Sequence, residues 1–114
     1  MIEQLVEFET AKLAKERGFN EECWDYYDNG GVSRPNITKV SNKMKLISAP
    51  TQSLLQKWLR EVHNIKLTVM FRENSITGTE SWDWLIKGID VFYKRFKTYE
   101  EALEKGLIEA LKLI

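Results

Sequence analysis

The side chains best suited to nucleophilic or acid–base chemistry are His63, the single histidine, and Cys23, the single cysteine. A cysteine–histidine site requires the imidazole to lie beside the thiol that it activates. About forty residues separate the two, and the sequence predicts them in different elements. His63 falls at the predicted end of a helix, where a histidine commonly caps carbonyl groups and complements the helix dipole. We therefore predict that the protein is not an enzyme.

Metal and phosphate sites are not predicted either. One histidine and one cysteine cannot supply the four Cys/His ligands of a usual zinc site. Asp25, Asp28 and Asn29 lack the spacing of a calcium loop, and such residues beside Gly-Gly are typical of a turn. Residues 30–31 (Gly-Gly) are not followed by the Lys-Ser/Thr of a P-loop. The expectation is no cofactor and no metal.

A small acidic cluster, Glu100, Glu101 and Glu104, also has a structural explanation. These residues fall in the first turns of a predicted helix, where the helix dipole favours negative charge. Gly106 in the middle of the same helix is less usual, because glycine there costs about 1 kcal/mol relative to alanine. It indicates that another element approaches the helix closely.

The charges of the chain are segregated along the sequence, although the net charge is zero. Residues 1–30 contain eight acidic and three basic residues, whereas residues 31–72 contain eight basic residues and one acid, Glu61. The eight basic residues form the candidate binding surface: Arg34, Lys39, Lys43, Lys45, Lys57, Arg60, Lys66 and Arg72. If they converge, they can engage phosphate groups. The pI near 6.6 argues against this use, because nucleic-acid-binding domains typically have a pI above about 9.

These residues must be positioned by an alternation of helices and short strands. Apolar periodicity predicts helices over residues 2–17, from Pro50 to about residue 64, and from a capping box at residues 98–101 to the C-terminus. Strands are predicted at residues 23–28, 65–72, 82–87 and 91–96. Pro35 restricts a short return strand to a sheet edge or ends it, and residues 36–48 are expected to form a surface loop with one extended piece near residues 43–47.

The predicted fold class is therefore α+β, in one domain over residues 1–114. A small antiparallel sheet of about three to five strands packs against two or three helices, in the order α-β-(β)-α-β-β-β-α. We expect Leu54, Trp58 and Val62 of the second helix to share one core with Leu67, Val69 and Leu107.

Two segments, residues 48–65 (SAPTQSLLQKWLREVHNI) and residues 98–107 (TYEEALEKGL), resemble a family of small uncharacterised proteins. These proteins are encoded in prophages and mobile elements of gut bacteria. The resemblance covers roughly the C-terminal two-thirds of the chain and brings no catalytic residues with it. It implies an accessory protein that works inside a bacterial cell.

Composition points to the cytoplasm. Residues 1–9 carry three glutamates, whereas a signal peptide begins with a basic stretch. No uncharged run approaches the roughly 18 to 20 residues needed to cross a bilayer. A lone cysteine allows no intrachain disulfide, as is usual in a reducing compartment. We expect a soluble cytoplasmic protein without a membrane partner.

The predicted function is binding of a macromolecular partner, with a protein partner or self-association favoured over nucleic acid. Two alternatives stay open. The first is a nucleic-acid-binding module that uses the basic residues of 34–72. Aromatic side chains could then stack on bases if one sheet face were open: Trp24, Tyr26, Tyr27, Trp82 and Trp84. The second alternative is a small-ligand binder with an aromatic pocket.

Overall fold

The computed structural model describes residues 4–28, 31, 33–40, 47–89 and 95–114, and for residues 33–40 it describes the backbone only. Within these residues the helices are α1 (Phe8–Glu16), α2 (Gln52–His63) and α3 (Tyr99–Leu111). The strands are β1 (Cys23–Tyr27), β2 (Ser33–Val40), β3 (Ile47–Ala49), β4 (Leu67–Glu73) and β5 (Glu80–Ile86). All of the strand pairs are antiparallel, and the predicted α+β class is confirmed.

The chain divides into two compact units, Met1–Leu55 and Gln56–Ile114, and the boundary falls within α2. The first unit contains a three-stranded sheet in the order β2-β1-β3, and the second contains the two-stranded β4–β5 hairpin. The described strands are thus divided between two sheets, whereas the sequence predicted a single one. That residues 1–114 form one domain stays a prediction.

Helix α1 begins at Phe8, six residues later than predicted. The reason is a pairing that is distant in sequence: the Val6 N–H donates to the Pro50 carbonyl at 2.9 Å, and the Gln52 N–H donates to the Gln4 carbonyl at 2.9 Å. These bonds pair residues 4–6 with residues 50–52 and keep them out of the helix. The predicted end is confirmed, since Gly18 has φ 93° and Phe19 folds back to a buried position.

Strand β2 is longer than predicted. It continues to Val40, so the expected loop at residues 36–48 is wrong for its first five residues. Pro35 lies within this strand opposite Asp25, and the register shifts between Asp25 and Cys23. The strand lies at an edge of its sheet, which is where a proline is tolerated because it has no N–H to donate. Residues 41–46, including most of the expected extended piece, lie outside the described residues.

Helix α2 begins at Gln52 rather than at Pro50, and the Thr51 hydroxyl accepts the Leu54 N–H at 3.2 Å. Trp58 is buried as predicted, whereas Leu54 is half-buried and Val62 is 59% exposed. The core position predicted for Val62 is therefore wrong. Val62 lies in the last turn, and the chain leaves the helix two residues later through Asn64, whose φ is 55°.

Helix α3 packs against the β4–β5 hairpin. Thr98 caps it as predicted, because its hydroxyl accepts the Glu101 N–H at 3.1 Å. Gly106 explains the close packing: a Cβ placed there would lie 2.7 Å from Leu67 Cδ1 and 2.9 Å from Trp84 Cβ. The close approach predicted from this glycine is confirmed.

The strand predicted at residues 91–96 falls largely outside the described residues. At its end Phe96 forms a bridge to Trp82, and each of the two N–H groups donates to the other residue's carbonyl at 2.9 Å. The backbone at residue 96 thus pairs with the free side of β5.

Candidate binding surface

The β4–β5 hairpin has two faces that differ in character. Strand alternation assigns four directly opposed pairs to one face: Leu67–Ile86, Val69–Trp84, Phe71–Trp82 and Glu73–Glu80. Near the first two pairs Gly106 of α3 lies against Leu67 and Trp84, and we call this part the closed end. The last two pairs form the open end.

Three aromatic rings continue from the open end onto the first residue of α3. Phe71 and Trp82 meet edge to face with centroids 5.1 Å apart, and Trp82 and Tyr99 do the same at 5.6 Å. This aromatic ladder (Phe71, Trp82 and Tyr99) is fixed by its own contacts. Even so, Phe71 is 48% exposed and Tyr99 is 40% exposed. The ladder therefore presents ordered apolar surface to its surroundings.

The turn beyond the open end is also ordered, and it carries one large apolar side chain. The Asn74 side-chain oxygen accepts the N–H groups of Ile76 at 2.9 Å and Thr77 at 3.1 Å. Gly78, with φ 70°, donates its N–H to the Asn74 carbonyl at 2.7 Å. These bonds define the turn without help from Ile76, which is 92% exposed. The isoleucine side chain is thus available for contact with another molecule.

Negative charge borders the aromatic ladder. Glu73 and Glu80 are directly opposed on the same face as Phe71 and Trp82, one pair further along the strands. Like charges in that arrangement destabilise a hairpin by a few tenths of a kcal/mol up to about 1 kcal/mol. A positively charged group bound beside the ladder would remove this repulsion.

The opposite face of the hairpin holds an ion pair. Arg72 Nε lies 2.5 Å from Asp83 Oδ2, and the Asp83 side chain is buried. Arg72 also lines a cleft of about 240 Å³, whose other walls come from the strand ends, the turn and Arg95. At this end of the hairpin, charged and polar groups therefore lie on one face and aromatic groups lie on the other.

The structure places the predicted basic residues as follows. Lys57 and Arg60 are exposed on α2, and Arg34 and Lys39 belong to β2, whereas Lys43 and Lys45 lie outside the described residues. Lys66 directly precedes β4 and lies six residues before Arg72, a separation of roughly 20 Å at about 3.3 Å per strand residue. Arg72 is engaged with Asp83. The structure does not bring Lys66 and Arg72 together, and a common basic patch stays a prediction.

The structure also places the residues first considered for chemistry. His63 is the last residue of α2, and its ring meets Trp58 edge to face with centroids 4.6 Å apart. Cys23 is buried in β1, and its thiol donates to the Glu21 carbonyl at 3.6 Å. Glu100 and Glu101 lie in the first turn of α3. Across the described ranges, no three His, Cys, Asp or Glu side chains come together as a set of metal ligands.

The first unit has a cavity of its own. It measures about 260 Å³ and lies beside Cys23, Trp24 and Leu54. Trp24 is 57% exposed at its edge. Among the described features, this cavity most resembles the aromatic pocket predicted for a small ligand.

A search of protein-family models, curated proteins and solved structures finds no match to this chain. None of the helices in the described parts of the chain combines the length and apolar character needed to cross a membrane. The resemblance of residues 48–65 and 98–107 to proteins of mobile elements stays a prediction.

Proposed function

We propose that this protein is a non-enzymatic binding protein that recognises another protein through the open end of the β4–β5 hairpin. One observation carries the proposal: the rings of the aromatic ladder contact one another and the turn that carries Ile76 is hydrogen-bonded, yet Phe71, Ile76 and Tyr99 are exposed. Phe, Tyr and Trp are enriched in protein interfaces, because they bury much area with little loss of side-chain entropy. Large contiguous apolar patches on a protein surface typically mark interaction sites.

The bound segment is proposed to carry lysine or arginine next to an apolar side chain. Glu73 and Glu80 supply the opposite charge directly beside the ladder. The faces of Trp82 and Tyr99 can attract the same cation, an interaction worth about 0.5 to 2 kcal/mol. An acidic segment would instead add a third negative charge to a pair that already repels.

The cellular setting is part of the proposal. The resemblance to proteins of prophages and mobile elements supports an accessory role inside a bacterial cell. A cytoplasmic location is supported by the single cysteine, which allows no intrachain disulfide.

The test uses paired peptide sets immobilised on an array, identical in apolar content and differing only in Lys/Arg against Asp/Glu. We expect the labelled protein to bind the basic set. Ile76→Asp and Phe71→Glu should each reduce that binding at least tenfold, while Val62→Glu should not, since it places the same charge at an exposed apolar site on α2.

Three results would contradict the proposal. The first is equal binding of the basic and acidic sets, and the second is an equal loss of binding in the Val62 control. The third is tight binding to generic DNA or RNA at low salt that disappears as salt is added, since this would assign the function to nucleic acid.

A further inference from the structure

The face of the hairpin opposite the aromatic ladder contains a cleft of about 240 Å³. Its walls combine two guanidinium groups with hydroxyl and amide groups: Arg72, Glu73, Asn74, Thr79, Ser81 and Arg95. Glu73 also lines the cleft, although strand alternation assigns its side chain to the ladder face. Arg72 and the buried Asp83 are charged groups on the other face of the hairpin.

Arg72 forms an ion pair with the buried carboxylate of Asp83. Its Nε lies 2.5 Å from Oδ2 of Asp83, which is 3% exposed and lies on the same face of β5. Oδ1 of Asp83 accepts no hydrogen bond from any residue that the structure describes. The buried carboxylate pairs with the Nε side of Arg72, and a planar guanidinium group is well suited to bind an oxyanion.

Arg95 approaches the same face from the other side of β5. The antiparallel bridge between Trp82 and Phe96 places position 95 opposite position 83. Arg95 is exposed and lines the cleft together with Arg72. Thr79 and Ser81 line the same cleft, and hydroxyl groups can donate to an oxyanion; the Thr79 hydroxyl also contacts the Thr77 hydroxyl at 2.9 Å.

We propose that this cleft binds a single phosphate monoester group. Such a group carries close to two negative charges and three acceptor oxygens, which two arginines and flanking hydroxyl groups can satisfy together. The cleft suits one group rather than a polymer, because Lys66, which directly precedes β4, lies roughly 20 Å from Arg72 at about 3.3 Å per residue. The proposal does not depend on the protein-binding role, which uses the opposite face.

The test follows the amide signals of Thr79 and Ser81 by NMR during titration at constant ionic strength. The probes are inorganic phosphate, a phosphoserine peptide, acetate and a short single-stranded oligonucleotide. We expect saturable shifts with the first two and much weaker ones with acetate. Tighter binding of the peptide would indicate that the natural ligand is a phosphorylated protein. Tighter binding of inorganic phosphate would indicate a small molecule.

Three variants locate the site. Arg95→Ala should weaken phosphate binding about tenfold or more, which corresponds to one charge-assisted hydrogen bond. Arg72→Lys keeps a positive charge beside Asp83, so it preserves the fold, but it removes the planar fork and should weaken binding similarly. Lys66→Ala removes a cation from the far end of β4 and should leave the affinity unchanged.

The proposal is overturned if the shifts grow linearly without saturation or if Lys66→Ala weakens binding as much as Arg95→Ala, because either result shows diffuse charge attraction. Acetate that binds as tightly as phosphate would also overturn it. An oligonucleotide that binds more tightly than both phosphate probes would assign the cleft to nucleic acid instead.

Discussion

The closed and open ends of the β4–β5 hairpin belong to the same sheet face, yet their surroundings differ. At the closed end, Leu67 and Ile86 are buried, and Gly106 lets α3 approach to within van der Waals contact. At the open end Phe71 has similar apolar character but remains about half exposed. The strand pattern is the same at both ends. What differs is the contact with α3. The middle of the helix covers the closed end, whereas only its first residue, Tyr99, reaches the ladder at the open end.

The comparison separates two uses of apolar side chains. Surface removed from water contributes roughly 25 cal/mol per Å², so the closed end stabilises the unit. The exposed part of the ladder contributes nothing of that kind while it faces solvent. Substitutions at the closed end should therefore change stability, and substitutions at the open end should change binding.

The largest effect is expected at Gly106. Gly106→Val places branched methyl groups where a Cβ alone would lie 2.7 Å from Leu67 Cδ1 and 2.9 Å from Trp84 Cβ. Overpacking of this kind typically lowers the free energy of unfolding by about 2 to 3 kcal/mol. Denaturant titration measures the loss, with Lys57→Ala at an exposed position of α2 as a control that should stay within about 0.5 kcal/mol. A Gly106→Val variant as stable as the control would mean that α3 does not close this end.

The next effect concerns the ion pair behind the open end. Arg72→Ala leaves Asp83 buried without its counter-charge, and loss of one partner of a fully buried pair costs about 3 to 5 kcal/mol. Because the Arg72 side chain is 40% exposed, we expect a smaller loss, about 2 kcal/mol.

Adding Asp83→Asn to the same variant removes the buried charge and should restore part of that stability. Chemical unfolding of the two single variants and the double variant yields the coupling free energy directly. Simple additivity of the two single effects would show that Arg72 and Asp83 do not depend on each other.

A smaller loss of stability is expected at the aromatic ladder. Phe71→Ala removes a ring that is only about half buried, so it should cost about 1 to 2 kcal/mol, against about 3 to 5 kcal/mol for a fully buried phenylalanine. Ile76→Ser should leave stability within about 0.5 kcal/mol. Both variants should nevertheless lose binding to basic peptides. Unchanged binding in these two folded variants would show that the open end does not take part in peptide recognition.

The smallest effect has the opposite sign. Glu80→Lys replaces the repulsion between Glu73 and Glu80 with an attraction, and it should raise stability by a few tenths of a kcal/mol up to about 1 kcal/mol. The same variant should bind basic peptides less tightly. Parallel thermal unfolding and peptide titration test both halves of this expectation. A variant that gains stability and keeps its affinity would show that the acidic pair has no role in recognition.

Local signals in the sequence were sufficient for much of the second unit. The alternation from Leu67 to Phe71 predicted β4, Thr98 predicted the start of α3, and Gly106 predicted close packing against another element. Each of these depends on residues close together in the chain. Such signals act through backbone geometry and strand alternation, which do not depend on how the rest of the chain is arranged.

Other features depend on partners that are distant in sequence. The late start of α1 follows from hydrogen bonds between residues 4–6 and residues 50–52. The apolar periodicity of residues 2–17 gives no indication of these bonds. Val62 shares the apolar stripe of α2, and only the position of the helix end explains its exposure. The candidate surface was missed for the same reason, because the exposure of Phe71 and Ile76 depends on where α3 lies. Asp83, a lone acid between two tryptophans, was the one local signal of a buried charge.

Among the described strands, β2 forms one edge of the sheet of the first unit, which bears on self-association. It carries Pro35, which has no N–H to offer to a neighbouring strand. Long flat edges are the usual templates for intermolecular strand addition, and a proline on the edge interrupts that template. Pro35 therefore disfavours the addition of a strand from a second copy of the chain at this edge.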